Sequence, residues 1–428
     1  MTLGFVNLRR RALLQAALGA ALSPRRSSAA TPRPRVIVVG AGFGGATCAK
    51  YLRLLAPEVA VLLIDQRTEF LTGPFSNLVI AGLRTPASIA RRTAAIGRAH
   101  GIDSRVERVT DIDPVRLIVS TAAGKSYRAD RIVVSPGIAM RWDAIEGLDE
   151  ERSATMPHAW TGGPQVLALR RRLAQVADGG TILIGSPPNP YRCPPGPYER
   201  ASLMAYALIR SGRARTKIIV ADAKDDFSKS ALFRFEWDRL YPQMIDWIAR
   251  GSGGEVVRVD AASGRVWLRG SAAPIVTQLA SIIPPQRAGL LAERAGLVDE
   301  SGWCPVKPED FESTKHAGVH VIGDAALGAP MPKSAFAANS QAKLCASAIA
   351  AALRGAPAPE ARLLNTCYSM VSDRAAISVS GYYGAVDGKL STLSEGISPL
   401  SGDAELRARE ARQARAWYAS VTADSFGH

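Results

Sequence analysis

The sequence predicts an α/β fold with two Rossmann-like three-layer dinucleotide-binding-type domains and a C-terminal interface domain. Three observations lead to this prediction. A β-branched run, Arg35–Val39, enters a glycine-rich turn, which is followed by a helical segment and a second strand ending at Asp65. A second strand–helix alternation begins near residue 155, and a strand at 319–324 precedes a helix at 334–353. The 428 residues suffice to give each domain its own core.

The glycine-rich turn predicts a dinucleotide site. Gly40 turns the chain, Gly42 lets the backbone approach a pyrophosphate, and Gly45 lets the helix pack closely on the strand. The helix N-terminus then faces the phosphates, and Asp65 is placed to accept the adenosine ribose hydroxyls. Gly137, in the turn after a later buried strand, is a further predicted cofactor contact.

A later segment indicates that the dinucleotide is FAD. The sequence VIGDA, which contains Gly323 and Asp324, resembles the second flavin motif of flavoproteins with two dinucleotide domains. In that motif the Asp binds the ribityl chain. The helix that starts near Pro332 directs its positive end toward the flavin pyrimidine ring, and Lys333 either adds to that charge or is solvated.

The second domain lacks the glycines that a second dinucleotide needs. Its first strand is followed by GSPPNP, in which Gly185 is the one glycine and three prolines lack the N–H groups that bind phosphate. We therefore predict that the chain does not bind NAD(P) and that its electrons come from a smaller donor.

A cysteine stands where the second domain should meet the flavin, in the loop YRCPPGPYER. Pro194 and Pro195 restrict its backbone, so we interpret Cys193 as a redox group. Cys367 is the best candidate for its partner, and a purely structural disulfide or two free thiols are the alternatives.

No C-x-x-C pair is present, so neither a metal site nor an attached haem is predicted. The remaining cysteines are predicted to lie in the core: Cys48, Cys304 and Cys345.

The N-terminus has the order of an export signal. Three arginines at 9–11 precede an apolar run at 12–22 that is too short to span a bilayer, and small residues follow at 28–30. The pattern resembles a twin-arginine signal, which predicts a periplasmic protein. The alternative is a basic tail or an amphipathic helix.

The net charge of +15 is spread along the chain without aromatic interleaving, so nucleic-acid binding is not predicted. A protein partner with an acidic face is one expectation, and a solvated basic surface is the other.

Ten segments together resemble the flavoprotein subunit of flavocytochrome c sulfide dehydrogenase, over nearly the whole mature chain. They are VIVVGAGFGGATCAKYLR, VSPGI, MPHAW, RCPPGPYERAS, IIPPQRAGLLAERAGL, GWCPV, HVIGDA, PMPKSAFAANSQAK, LNTCYS and the closing WY. The resemblance implies that Cys193 and Cys367 form a redox-active disulfide and that Glu199 beside it accepts a proton; a surface ion pair is the alternative for Glu199. The family often carries a cysteine bonded to the flavin where this chain has Gly73, so FAD is expected to be non-covalent.

The resemblance also implies an activity and a partner. Sulfide attacks the disulfide, two electrons reach FAD, and a separate c-type cytochrome subunit receives them. One alternative is a sulfide:quinone oxidoreductase, which would need an apolar membrane-facing surface where this chain has the charged segment Glu405–Arg415. The other alternative is a non-catalytic flavoprotein partner of a sulfur-oxidising system. Stable membrane insertion is not predicted.

These expectations divide the chain into five parts. They are a signal peptide (1–30), the first part of the FAD-binding domain (31–154), a Rossmann-like domain without an NAD fingerprint (155–285), the second part of the FAD-binding domain (286–354) and the C-terminal flavin and interface domain (355–428).

Overall fold

The computed structural model describes residues 33–427, and the predicted signal peptide lies outside the described residues. The strands are β1 (Arg35–Val39), β2 (Ala60–Asp65), β3 (Glu69–Leu71), β4 (Ala90–Arg92), β5 (Asp103–Val106), β6 (Val109–Asp113), β7 (Ile118–Thr121), β8 (Ser126–Arg128), β9 (Arg131–Val134), β10 (Ile138–Met140), β11 (Thr181–Ser186), β12 (Lys217–Asp222), β13 (Ile245–Ile248), β14 (Val256–Asp260), β15 (Arg265–Leu268), β16 (Ile275–Val276), β17 (Leu279–Ile282), β18 (Gln286–Ala288), β19 (Val319–Val321), β20 (Arg362–Met370), β21 (Ala376–Val386) and β22 (Lys389–Ile397). The helices are α1 (Phe43–Leu55), α2 (Ser76–Ile80), α3 (Thr93–His100), α4 (Pro164–Gln175), α5 (Gly196–Arg210), α6 (Ser230–Leu240), α7 (Leu290–Arg294), α8 (Ala335–Leu353) and α9 (Ala404–Phe426). Within this part of the chain, none of the helices has both the length and the apolar character needed to cross a membrane.

The first domain is built on a five-stranded parallel sheet in the order β19-β9-β1-β2-β5. Its central strand β1 is Val- and Ile-rich and buried, as expected where helices cover both faces of a parallel sheet. Helices α1 and α8 pack against each other beside this sheet. Strand β19 comes from a distant part of the sequence, so the domain is assembled from two segments.

The second domain has its own parallel sheet, in the order β13-β12-β11-β17. Strand β11 lies inside this sheet and ends at Ser186, and α5 begins ten residues later at Gly196. The loop between them carries Cys193. The short antiparallel ladder β10–β18 pairs the two segments at which the chain leaves the first domain and returns to it. The two parallel sheets confirm the predicted α/β class.

The C-terminal region folds as an antiparallel sheet, β20-β21-β22, followed by the long helix α9. The resemblance placed a flavin and interface domain at 355–428, and its strands and helix were not predicted. Strand β20 pairs with β21 along its whole length, from Arg362 opposite Gly384 to Met370 opposite Ala376. This strand carries Cys367 opposite Val379, so the second predicted redox cysteine is held by a regular ladder.

Part of the charged segment Glu405–Arg415 is buried. Arg407 is fully buried, and its Nε lies 2.7 Å from Oε1 of Glu236, which is also fully buried. Its NH1 lies 3.2 Å from Oε2 of Glu410. Arg407 therefore attaches α9 to α6 inside the protein, and Glu410 is buried beside it.

Replacement of Arg407 by Ala should destabilise the protein by about 3–5 kcal/mol, because it leaves the buried carboxylate of Glu236 without this cation. Arg409 is exposed on the same helix. Arg409→Ala should change the free energy of unfolding by only about 0.5 kcal/mol. Denaturant unfolding of both variants measures the difference, and equal effects would contradict the assignment of Arg407 as a buried anchor.

Candidate active site

The turn after β1 forms a cradle for a phosphate group. A Cβ atom on Gly45 would lie 1.8 Å from the carbonyl oxygen of Gly40, so only glycine lets α1 approach the turn this closely. A Cβ atom on Gly42 would meet nothing within 4 Å, so the space beside that residue is open. The N-terminus of α1 has no side-chain cap, which leaves its N–H groups available to an anion.

Two acids flank this cradle. Asp65 ends β2, and its carboxylate accepts hydrogen bonds from the N–H groups of Ala41 at 2.7 Å and Arg67 at 2.8 Å. Asp324 follows β19, and one of its oxygens accepts from Nε of Arg192 at 2.6 Å. The other oxygen, Oδ1, is buried without a partner among the described residues. A free buried acceptor beside an open glycine turn fits the hydroxyl-bearing chain of a dinucleotide.

Lys333 is hydrogen-bonded to the backbone of the Asp324 segment, and its predicted contribution to the charge at the flavin stays a prediction. Its Nζ donates to the carbonyl oxygens of Asp324 and Ala326, both at 2.8 Å, and lies 3.8 Å from the ring centre of Trp303. Burial lowers the pKa of Lys333 to about 8. The lysine thus connects the Asp324 turn to the start of α8, which Ser334 caps by accepting from the N–H of Ala337. It is not a solvated first-turn lysine.

Gly137 and Gly323 are both backbone positions that favour glycine. Their φ angles are +69° and +76°, in the left-handed region. A Cβ atom on Gly137 would also lie 2.9 Å from NH2 of Arg192. Gly137 thus leaves room for the arginine that contacts Asp324.

The end of β11 in the second domain is filled by a polar network. Nζ of Lys224 contacts Oδ1 of Asp222 at 2.5 Å and Oγ of Ser186 at 2.9 Å. The hydroxyl group of Tyr198 donates to Oδ2 of Asp222 at 2.5 Å. These side chains are buried, and they occupy the strand ends at which an open α/β sheet usually binds its ligand. The network agrees with the absence of a second glycine fingerprint.

The loop that carries Cys193 is hydrogen-bonded to the first domain. The N–H of Cys193 donates to the carbonyl oxygen of Lys333 at 2.8 Å, and neighbouring Arg192 contacts Asp324. Cys193 has a φ of +57°, which is strained for a residue with a side chain. A Cβ atom on Gly196 would lie 3.2 Å from Sγ of Cys193 and 2.5 Å from the ring of Trp160. The thiol therefore lies directly against the start of α5.

The structure brings Cys367 into the same site. Burial raises the pKa of both thiols and is the largest cause in each case. The charge of Cys367 is the second largest cause that raises the pKa of Cys193, so the two thiols lie close enough to interact. Both are free thiols, so their disulfide remains a prediction. Full burial confirms that the other three cysteines are core residues: Cys48, Cys304 and Cys345.

Glu199 lies one turn into α5 and faces these cysteines. Its carboxylate accepts hydrogen bonds from Nδ2 of Asn77 at 2.8 Å and from the N–H of Met370 at 2.9 Å. Asn77 also accepts from the buried guanidinium of Arg200 at 3.2 Å. Burial raises the pKa of Glu199. Glu199 is thus an interior acid held by neutral donors, which differs from a surface ion-pair residue.

Lys229 was not predicted as a site residue. This residue immediately precedes α6, and its Nζ donates to Oγ of Ser369 at 2.8 Å and to the carbonyl oxygen of Cys367 at 3.4 Å. It is 6% exposed. Asn77 and Arg200 were also missed, because single polar residues on separate elements form no motif.

These features define a flavin-binding oxidoreductase with two dinucleotide-type domains and two thiols at one site. Three family models match the chain. They are the pyridine nucleotide-disulphide oxidoreductase family at 34–170, the central domain of the sulfide dehydrogenase (flavocytochrome c) flavoprotein chain at 166–284 and the flavin-binding domain of flavocytochrome c sulphide dehydrogenase at 359–426. The chain belongs to the family of flavocytochrome c sulfide dehydrogenase flavoprotein chains.

Individual relatives agree with this assignment. The flavoprotein chain of sulfide dehydrogenase from Chlorobaculum thiosulfatiphilum is 60% identical over 45 residues, which are 10% of this chain and 94% of that sequence. The sulfide-quinone reductase of Aquifex aeolicus is 30% identical over 181 residues, 41% of this chain and 40% of that protein. The solved structure of the sulfide:quinone oxidoreductase from the same bacterium aligns with a TM-score of 0.73 at 19% identity, covering 92% of this chain and 93% of that one, and supports the fold.

The raised pKa of Glu199 predicts a pH-dependent stability. The folded state favours the protonated form of Glu199. The contribution of this residue to the free energy of unfolding is therefore complete below its pKa in the unfolded chain, about 4.3, and is lost as pH rises through its pKa in the folded protein. In Glu199→Gln this loss is removed. The thermal midpoint of the variant, relative to the parent, should therefore rise as pH increases from about 4.3.

The control for this comparison is Glu405→Gln, which replaces an exposed glutamate and should show a smaller change with pH than Glu199→Gln. Each unit by which the pKa of Glu199 is raised corresponds to about 1.4 kcal/mol. A Glu199→Gln difference that is constant or falls as pH rises would contradict the burial argument.

Proposed function

We propose that this protein is a periplasmic FAD enzyme that oxidises sulfide through a Cys193–Cys367 disulfide and passes the electrons to a separate c-type cytochrome. One observation carries the proposal. The loop of Cys193 is hydrogen-bonded to the Asp324 and Lys333 segment, and Cys367 and Glu199 lie beside it. Two thiols and one acid thus adjoin the segment that matches the flavin motif.

The proposed chemistry conserves atoms and charge. A hydrosulfide anion attacks one sulfur of the disulfide, so one S–S bond forms as another breaks, giving a persulfide and a thiolate. The proton of the persulfide passes to Glu199. A second hydrosulfide takes the outer sulfur as sulfane sulfur and leaves the second thiolate. Bound flavin supplies a two-electron acceptor, and the protein's disulfide re-forms as the electrons leave.

Other features support the partner and the location. The relatives named above are a flavocytochrome c subunit and quinone reductases, and this chain contains no C-x-x-C-H haem attachment sequence. Electrons from the flavin then need an external acceptor, and a cytochrome is the acceptor that the family name indicates. The N-terminal sequence supports twin-arginine export to the periplasm.

Gly73 supports a non-covalent flavin. It lies in the exposed loop before α2, where a Cβ atom would meet nothing within 4 Å. Neighbouring Thr72 shares a hydrogen bond of 2.9 Å with the hydroxyl group of Tyr418, and Asn77 contacts Glu199. The loop is therefore anchored on both sides of a position that offers no sulfur for a thioether.

Anaerobic titration with sulfide tests the proposed reaction. The parent's flavin should bleach with sulfide, and reoxidation should be faster with a c-type cytochrome than with a quinone. Cys193→Ala should keep its flavin but lose sulfide-dependent bleaching by roughly 10³-fold or more, the scale of removing a covalent catalyst. Stopped-flow absorbance near the flavin band measures both steps.

Cys345→Ala is the matched control, because Cys345 is a buried thiol on α8 that is not among the groups of the dithiol site. It should bleach at the parent rate. NADH should bleach none of the variants at a comparable rate. Bleaching of Cys193→Ala by sulfide at the parent rate would overturn the disulfide mechanism, and reoxidation by quinone alone would favour a sulfide:quinone oxidoreductase.

Acid precipitation followed by filtration tests the state of the flavin. All the yellow colour should pass into the filtrate, because Gly73 has no side chain that can bond to the flavin. A flavin potential below that of thioether-linked relatives is the expected consequence, since the electron-withdrawing link is missing. Colour retained by the precipitated protein would contradict a non-covalent cofactor.

A further inference from the structure

Lys229 is a buried cation without a matching anion. Its side chain is 6% exposed, and no carboxylate oxygen of the described residues lies within the 4.0 Å of an ion pair. Its hydrogen-bond partners are neutral, the hydroxyl group of Ser369 and the carbonyl oxygen of Cys367. Burial lowers the pKa of Lys229, as expected for an ammonium group removed from water. An unpaired buried charge costs free energy, so its presence calls for a function.

The other buried lysine of this domain shows the contrast. Nζ of Lys224 lies 2.5 Å from Oδ1 of Asp222, so its charge is neutralised within the fold. Lys229 has acids in its surroundings, but they are engaged elsewhere. Glu199 accepts from Asn77 and Met370, and Glu410 is held by serine hydroxyl groups and by Arg407.

The groups that face Lys229 are those of the dithiol site. Charge effects on its ammonium come from Cys367, Glu199, Cys193 and Glu410, in that order. The side chain also passes 5.8 Å from the ring centre of Phe233 on α6. The positive charge of Lys229 has a larger effect on the pKa of Cys367 than on the pKa of Cys193. For Cys193, the charges of Cys367 and Glu199 have larger effects than the charge of Lys229.

We propose that Lys229 is the anion-binding group of the dithiol site: it attracts the hydrosulfide anion and stabilises the thiolate of Cys367 when the disulfide opens. The substrate part of this proposal rests on the proposed sulfide oxidation. In the opening step, hydrosulfide bonds to Cys193, the bond between the cysteines breaks, and the electron pair of that bond stays on Cys367. Lys229 then balances the negative charge on the sulfur of Cys367. Because this stabilises the thiolate, Cys367 becomes a better leaving group when the disulfide opens.

Alkylation of the reduced holoprotein tests the thiolate directly. Iodoacetamide reacts with the thiolate, so the rate at each cysteine follows its ionised fraction. In the parent, Cys367 should be labelled at lower pH than Cys193. In Lys229→Met, labelling of Cys367 should slow about tenfold at a pH below both thiol pKa values, one pKa unit being a factor of ten in thiolate. Peptide mass spectrometry over a pH series gives the rates.

Three control variants separate charge from structure. Lys229→Arg keeps the charge and should restore most of the labelling rate at Cys367. Ser369→Ala removes a neutral partner and should have a much smaller effect than Lys229→Met. Lys389→Met removes one positive charge from an exposed position and should label as the parent does. An unchanged pH profile in Lys229→Met would overturn the proposal.

Stability and substrate dependence provide two further readouts. The oxidised Lys229→Met protein should unfold at the same temperature as the parent or higher, because an unpaired buried charge is gone. A lower midpoint together with unchanged labelling would assign Lys229 a structural role and reject the proposal. The sulfide concentration for half-maximal bleaching should rise about tenfold in Lys229→Met and stay near the parent value in Lys229→Arg.

These measurements distinguish failure of the two proposals. If the parent does not bleach with sulfide, the proposed function fails, while the labelling of Cys367 still decides whether Lys229 stabilises its thiolate. If the parent bleaches and Lys229→Met matches it in both labelling and sulfide dependence, sulfide oxidation stands and the role of Lys229 is rejected.

Discussion

The site depends on one backbone hydrogen bond, from the N–H of Cys193 to the carbonyl oxygen of Lys333. This bond fixes a loop of the second domain to the residue that precedes the cap of α8 in the first domain. Arg192 strengthens the connection through Asp324, and Gly137 leaves room for the arginine. A loop held in this way tolerates the left-handed φ of Cys193, because its surroundings determine the conformation. The thiol therefore has a defined position relative to the flavin motif.

The C-terminal sheet contributes a second thiol to the site. Strand β20 brings Cys367, and the neighbouring Met370 and Ser369 bind Glu199 and Lys229. Helix α9 holds this region in place through the buried pair of Arg407 and Glu236. Three separate regions of the sequence thus contribute to a single cluster: Cys193 and Glu199 come from the loop before α5 and its first turn, Lys229 precedes α6, and Cys367 lies on β20. The charges in the cluster are incompletely paired, which suits a site where negative charge appears on sulfur and protons move during the reaction.

The features that could be predicted from the sequence are those formed by contiguous motifs. Gly40, Gly45 and Asp65 lie within one βαβ unit, so their order alone indicates a dinucleotide site. Cys193 and Cys367 are far apart in the sequence; Cys367 was the best candidate for the partner, and the resemblance implied their disulfide. Lys229 was not predictable, because a single lysine before a helix has no distinctive pattern and its neighbour Ser369 is 140 residues away. The burial of Arg407 was not predicted for a related reason: its partner Glu236 lies on another helix, in a distant part of the sequence.

Peptide mapping without reduction tests the central claim, that Cys193 and Cys367 form one redox pair, most directly. The protein is alkylated at low pH as isolated, digested and analysed by mass spectrometry before and after anaerobic treatment with sulfide. We predict a disulfide between the peptides of Cys193 and Cys367 in the oxidised protein, and a persulfide on one of them after treatment. Two free thiols in the oxidised protein, or a disulfide of either cysteine with a different partner, would contradict the account.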